Sequence, residues 1–520
     1  MTKSGIAGTD RFTGKYLVAA GAIVVVLAIL PVLVAPHLLL LDAPAHEARI
    51  SVLRDLLLPG RESPFYQLDT FYVPNIAFDV IGFALSFFSG PENVGRIFFA
   101  LTLILTVSGV AVLNRVLTAR WSIVPLACGL VLFNLVAILG FFSYAFGLAL
   151  VPWALAGRLK LERNSLPVRY LAGAGIAILL VFCHVFDFGI YAVMSSGFAL
   201  TALLQRRITW RDALLRPMEL VPAGLLFLSM STGDGSPLHY GPYSLSGKVL
   251  GILKSLSSAS MAGDAAFVAG ALGLIVLLLF CARTRLVSSF VPGIIGLAVL
   301  YFILPQNLAS GSYVDVRMPI AVALMLFAGL DVQLSSGRKT TILLTLVAIA
   351  FTAKQVAIAA QWRSQSAESD KLIQQMTSLP APSIIMQSEC QSDSSGIQSI
   401  YDRRQPSLQH IAAVSAFRDT RFVADLYAIH GQQPIRVAPA YSAYAELQHG
   451  FEETCDPREL RNRLDRIEML MGSMRDTGQP VPPVFFLLIR PPSSATLAPQ
   501  ARLIASGPKH ALYEVGAKPR

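Results

Sequence analysis

Long apolar runs separated by short polar links repeat along the chain up to about residue 360. The first, Tyr16–Leu41, exceeds the roughly 20 apolar residues that cross a bilayer. Further runs follow at Val94–Leu117, Ser122–Leu139, Ala145–Gly157, Val168–Val185, Phe188–Leu204, Met218–Ser231, Ala265–Ala282, Leu286–Leu304, Met318–Val332 and Thr341–Ala360, about eleven spans in all. Val73–Ser89 is also apolar, but it is short and carries Asn75 and Asp79, so it reads as a helix on the outer surface. Lys248–Met261 reads as an amphipathic surface helix. From Gln361 the pattern changes. Strand-like runs appear at Ser383–Met386 and Val484–Ile489, and helical patterns at Leu408–Ile429 and Pro457–Met474. Two alternating runs flank SGPK in ARLIASGPKHALYEV and predict a closing hairpin. The expectation is a polytopic α-helical membrane domain, 1–360, with a first outer loop at 42–93, then a small C-terminal α/β or α+β extracytoplasmic domain, 361–520.

Composition sharpens this. Of 520 residues, 54% are hydrophobic and 14% charged, against about 25% charged in soluble domains. The net charge of +10 does not call for nucleic acid. Its Lys and Arg gather in alternate short links: Lys3, Arg11 and Lys15 first, then Arg115 and Arg120, RLKLER, QRRITWRDALLR, RTR and SSGRK. Cytoplasmic loops carry that excess. The N-terminus is therefore expected inside, and an odd number of spans places the tail outside, in a bacterial periplasm. The first apolar run is too long for a cleavable signal and lacks a small-residue cleavage site. Cys128, Cys183 and Cys281 lie in or at the ends of apolar runs. Cys390 and Cys455 lie in the tail and allow one internal disulfide in an oxidising compartment, or else two unrelated buried thiols. No CxxC or His/Cys cluster suggests a metal site.

The richest stretch for chemistry is Leu38–Asp55, LLLLDAPAHEARISVLRD, where an apolar run stops and ionisable residues follow at once. If the chain is helical after Pro44, Asp42, His46 and Arg49 fall on one face. The alternative is that Asp42 only caps a short surface helix. His184 and Asp187 in FCHVFDFG, and Asp315 and Arg317 in GSYVDVRMP, border spans on the outer side. Ionisable groups at such depth are costly and point to function, although a wet helix end or a capping ion pair gives the same pattern. The loop STGDGSPLHYGPY, with His239, is either a flap over a site or a plain connection.

The layout resembles the GT-C superfamily of polyprenyl-phosphate-sugar-dependent glycosyltransferases. A first span leads to an outer loop that opens with an acid, Asp42, and surface helices precede a membrane bundle and an outer tail. FSGPENVGRIFFAL, with Phe88, Gly90 and Arg96, is similar to a short motif of that family. The resemblance implies sugar transfer from a lipid-linked donor to a glycan, lipid or protein acceptor, on the outer face of a bacterial inner membrane. Asp42 is then the expected catalytic base, with His46 as the alternative. Arg317 and Arg49 are the expected phosphate-binding residues, since guanidinium grips phosphate with two donors. His184, Asp187, Asp315 and His239 are further site candidates. Many GT-C enzymes carry a second acid in the next outer link, which here is GFFSY. No cofactor is expected, with a divalent metal left as an open alternative. Two other classes compete: a non-catalytic scaffold or polysaccharide-assembly subunit with a degenerate GT-C fold, and a transporter. Transport sites sit at mid-membrane, whereas these ionisable residues sit at span ends.

Overall fold

The computed structural model describes residues 10–38, 40–60, 62–69, 74–230, 245–258, 260–308, 313–335, 337–390, 408–417, 419–449, 456–491 and 501–516. Among them, 8 helices are long and apolar enough to cross a membrane: Tyr16–Val34, Pro91–Thr118, Phe142–Leu161, Leu166–Cys183, Val185–Leu204, Trp210–Met230, Met261–Phe280 and Arg338–Thr377. Shorter apolar helices are Ala77–Ser89, Ser288–Ile303 and Arg317–Gly329. The chain is a polytopic α-helical membrane protein. Its contacts divide it into one compact unit of Met1–Val34 and Phe99–Gln361, and a second of Ala35–Phe98 and Trp362–Arg520.

In the first unit, Ser122–Leu139 departs from the expected single span. It folds as a 3-10 helix, Val124–Val131, and a short α-helix, Leu135–Leu139. Pro125 has no N–H to give, and the Asn134 side chain starts the second piece by accepting the Ala137 N–H at 3.2 Å. Such a break frees carbonyls where water is scarce, and each must find a partner inside the chain. Lys354, fully buried on the helix Arg338–Thr377, supplies it: its Nζ donates to the Leu130 carbonyl at 2.5 Å and the Phe133 carbonyl at 3.1 Å. Asn114 does the same elsewhere, donating to the carbonyls of Ala328 and Leu330 at 2.9 and 2.7 Å, where the helix Arg317–Gly329 ends. The helices Val185–Leu204 and Val291–Ile303 cross closely, since a Cβ on Gly197 would lie 2.6 Å from the Gly293 nitrogen. Small residues permit such approach between membrane helices.

Charged links assigned to one side by the Lys/Arg pattern do meet. Leu330–Leu334 pairs antiparallel with Ala282–Leu286, and Asp331 there binds Arg285 at 2.7 Å and also Arg120. Arg158 binds Glu219 at 2.5 Å, and Glu162 joins Arg158 and Arg216 at 2.9 and 3.1 Å.

The second unit holds a mixed five-stranded sheet. Its order is Phe422–Val423, Ile384–Glu389, Val484–Ile489, His510–Val515, Ala501–Gly507. The first three strands are parallel and the last two antiparallel. All 6 residues of Val484–Ile489 are buried, which explains a continuous apolar run in place of alternation. The helix Pro457–Asp476 buries Leu460, Leu464, Ile467, Met471 and Met474, one stripe at helical spacing. Leu408–Ile429 is not the expected helix. It contains the 3-10 turn Ile411–Ala416 and the edge strand Phe422–Val423. Every residue of that turn is buried, so no polar face exists to support an amphipathic helix.

The segment expected as the first outer loop of the membrane domain shares this second unit with the tail. Its strand Tyr66–Leu68 pairs antiparallel with Ile435–Val437. The Tyr66 hydroxyl donates to the Val423 carbonyl at 3.1 Å and accepts the Val423 N–H at 2.9 Å. Ser51 Oγ donates to the Phe417 carbonyl at 2.9 Å. The helix Ala77–Ser89 lies in this unit too, with the ring of Phe78 packed 5.0 Å from that of Phe98.

Lys354→Met should lower the thermal midpoint of detergent-solubilised protein, because it strands two buried carbonyls. The expected loss is about 1–3 kcal/mol. An unchanged midpoint in a calorimetric scan would show that those carbonyls find other donors.

Candidate functional site

Three links of the first unit converge on Arg317. This residue opens the helix Arg317–Gly329 and is 6% exposed. Its Cζ lies 4.6 Å from the Phe141 ring centre, 5.1 Å from Phe186 and 5.2 Å from Tyr144. Aromatic faces attract a cation in this range. Tyr144 also holds the backbone, its hydroxyl donating to the Arg317 carbonyl at 2.9 Å. His184 separates the helices Leu166–Cys183 and Val185–Leu204 in an extended conformation. Its Nε2 is 2.9 Å from Arg317 Nη1, and its Nδ1 is 3.2 Å from the Phe186 N–H. Both neighbours are donors, and a neutral imidazole has one accepting nitrogen. The ring therefore satisfies one of the two contacts at a time.

Asp187 lies one turn further on, fully buried. Neither carboxylate oxygen has a hydrogen-bond partner among the described residues. A Cβ at Gly147 would fall 1.9 Å from Asp187 Oδ2, so only glycine at 147 leaves this carboxyl its place. Asp315 is not Arg317's partner. It accepts from Lys248 Nζ at 2.9 Å and from the Val316 N–H at 2.9 Å. Lys248, on the helix Leu245–Leu256, also donates to the carbonyls of Tyr301 and Leu304 at 3.2 and 3.1 Å. Sequence reasoning missed Lys248 as a site residue; the helix that carries it, LSGKVLGILKSL, also holds Lys254, and nothing local distinguishes the two cations.

The second unit carries the other cluster. Asp42 stands at the N-cap of the helix Ala43–Leu57, yet its side chain makes no capping bond. It accepts from the Tyr427 hydroxyl at 3.0 Å. That hydroxyl is also 3.0 Å from His410 Nε2, and His410 Nδ1 is 3.1 Å from Asp425 Oδ2. Tyr427, His410 and Asp425 were not candidates on sequence, for nothing local marks them. Two turns along the helix from Asp42, Arg49 faces Asp79 with Nε at 2.5 Å and Nη2 at 3.2 Å. It is 1% exposed. Its Nη2 lies 2.9 Å from His46 Nδ1. A guanidinium only donates, so His46 Nδ1 accepts and the ring proton sits on Nε2. Burial, then Arg49 and His410, holds the His46 imidazole well below its ordinary value. Glu47 accepts the Gly95 N–H at 3.1 Å, and burial pushes its carboxyl well up.

Of the remaining candidates, His239 and Cys455 lie outside the described residues, and so does the proposed disulfide's geometry. Cys390 is buried. Among the described residues no three His, Cys, Asp or Glu side chains gather to hold a metal ion.

No family model matches the sequence, and no curated protein does. Solved structures do share the fold. One is ArnT from Cupriavidus metallidurans bound to undecaprenyl phosphate, with a TM-score of 0.51 over 96% of this chain and 98% of that chain, at 11% identity. The chain shares the fold of that structure, and the GT-C resemblance holds at the level of the fold. At that identity the likeness concerns the fold alone. The link after Ser122–Leu139, which begins at Gly140, holds no acid and presents Phe141 to Arg317.

His46 gives a pH test. Its folded value lies below 6.5, so between 6.5 and that value the unfolded chain holds a proton the folded chain lacks. Stability from this residue is then lost as pH falls below about 6.5. Glu47, raised above 4.5, acts with the opposite sign. His46→Gln should lose less thermal stability than wild type between about pH 7.5 and 5.5. Equal losses in the two proteins would show that His46 does not carry that acid limb.

Proposed function

We propose that this chain is a membrane glycosyltransferase that moves a sugar from a polyprenyl-phosphate donor to a hydroxyl of a lipid, glycan or protein acceptor. The reaction takes place on the outer face of a bacterial inner membrane. The observation that carries this reading is the Arg317 guanidinium, held by Phe141, Tyr144 and Phe186 beside His184. A leaving phosphate that takes the Arg317 donors would free His184 Nε2 from a contact its ring satisfies only in part. Phosphate and guanidinium pair strongly through parallel N–H bonds. The GT-C fold supports the reading, and the ArnT structure that shares it holds undecaprenyl phosphate. Arg49 is the weaker choice, because both Nε and Nη2 already serve Asp79. Asp42 is the proposed base. His46 is less suited, since its accepting nitrogen faces Arg49.

The proposed topology counts eleven crossings, N-terminus inside and tail outside. It takes Ser122–Leu139 as one broken crossing and includes the two shorter helices Ser288–Ile303 and Arg317–Gly329. A small opening of about 30 Å³ lies between spans, lined by Phe99, Leu103, Val131, Leu148 and Leu324 together with Thr102, Thr106 and Asn134. The second reading, a scaffold with a degenerate fold, is favoured by one observation: the GFFSY link has no acid.

Purified protein in nanodiscs, given labelled polyprenyl-phosphate sugars and acceptor extracts, should transfer label. Arg317→Gln should weaken binding of undecaprenyl phosphate by about 1.5–3 kcal/mol, roughly tenfold to a hundredfold. Asp42→Asn should bind the donor normally but lower kcat by about 10²–10⁴. Donor binding without transfer in wild type would favour the scaffold. Binding untouched by Arg317→Gln would remove this arginine from the phosphate site.

A further inference from the structure

The tail domain contributes its own side chains to Asp42, and the protonation of that cluster has a chemical consequence. Asp42, Tyr427, His410 and Asp425 form a chain with successive contacts of 3.0, 3.0 and 3.1 Å. His410 is buried, and its Nε2 lies 3.7 Å from Asp42 Oδ1. The rings of His410 and Tyr427 are 5.0 Å apart. Among the described residues, the charged and titratable groups that face His410 include Asp425 and Tyr427 from the tail and Asp42 and His46 from the first outer segment, with Arg49 bonded to His46.

Consider Asp42 ionised, Tyr427 neutral, and His410 with its Nδ1–H turned to Asp425. The two contacts at the Tyr427 oxygen then share one proton, where two hydrogen bonds need two. One more proton completes the chain: His410 Nε2–H donates to Tyr427, and Tyr427 donates to Asp42. We infer that Tyr427 and His410 are positioning residues that draw the acceptor's proton away from Asp42, so that the tail domain is part of the transfer machinery. This rests on the reading of Asp42 as the base. In the step, the acceptor O–H bond breaks and its oxygen bonds to the donor's anomeric carbon. The bond from that carbon to phosphate oxygen breaks, and its electron pair leaves with the phosphate. Asp42 takes the proton and passes it to the Tyr427 oxygen as the Tyr427 proton moves to His410 Nε2. Asp425 holds the resulting imidazolium.

The test has two arms on the full chain in nanodiscs. In the first, ¹⁵N-histidine NMR follows the His410 titration, assigned by the signal lost in His410→Gln. Asp42→Asn removes the neighbouring negative charge and should lower the His410 midpoint by about one unit or more. In the second, Tyr427→Phe should lower kcat about tenfold or more, leave the donor KM unchanged and shift the acid limb of the pH–rate profile. An unmoved His410 midpoint in Asp42→Asn overturns the inference, and so does a wild-type pH–rate profile in Tyr427→Phe. If wild type transfers from no donor, the glycosyltransferase reading fails. A shifted His410 midpoint would in that case still support the coupling of Asp42 to His410.

Discussion

A carbonyl freed inside the membrane unit has no water to bond, and this constraint shapes the bundle. Ser122–Leu139 gives up regular helix, and the cost is met by one ammonium group and one amide. Lys354 donates to two carbonyls of the broken segment, and Asn134 restarts it. Asn114 closes the end of the helix that begins with Arg317. None of these side chains sits where a charge or amide is cheap. Each occupies the one kind of place where removing it costs more than keeping it.

Those fixed ends allow an arginine to be held out of water. Arg317 opens a short helix whose far end is tied by Asn114, and three aromatic rings surround its guanidinium. The buried Asp187 adds a carboxyl without a hydrogen-bond partner among the described residues, in space that exists because residue 147 is glycine. A cation caged by rings keeps its donors in a plane and loses little freedom on meeting a planar or tetrahedral anion. In the second unit the chemistry is built differently. Two carboxylates, a phenol and an imidazole are linked by hydrogen bonds, and the adjacent Arg49–Asp79 pair neutralises itself. One cluster therefore holds a positive charge among aromatic rings, and the other is a hydrogen-bonded chain of titratable groups.

Much of this was legible along the chain. The apolar runs predicted the long helices, because length and hydropathy decide crossing without reference to neighbours. In the tail, the strands at Ile384 and Val484 followed from short apolar runs, and the closing hairpin from alternating runs about the turn residues SGPK. The GT-C resemblance, drawn from layout and the short motif at Phe88, Gly90 and Arg96, agrees with the fold. Tertiary structure decided the partners. Asp42 turns from the helix N-terminus to a tyrosine 385 positions away, and Asp315 pairs with Lys248 rather than with its near neighbour Arg317. It also decided where periodicity misled: Leu408–Ile429 became an edge strand and a buried turn, since pairing with Ile384 and Ile385 outweighed helix propensity. A local pattern records which face of an element is apolar. Which distant group a polar side chain meets depends on how the chain closes, and that information is absent from any single stretch of it.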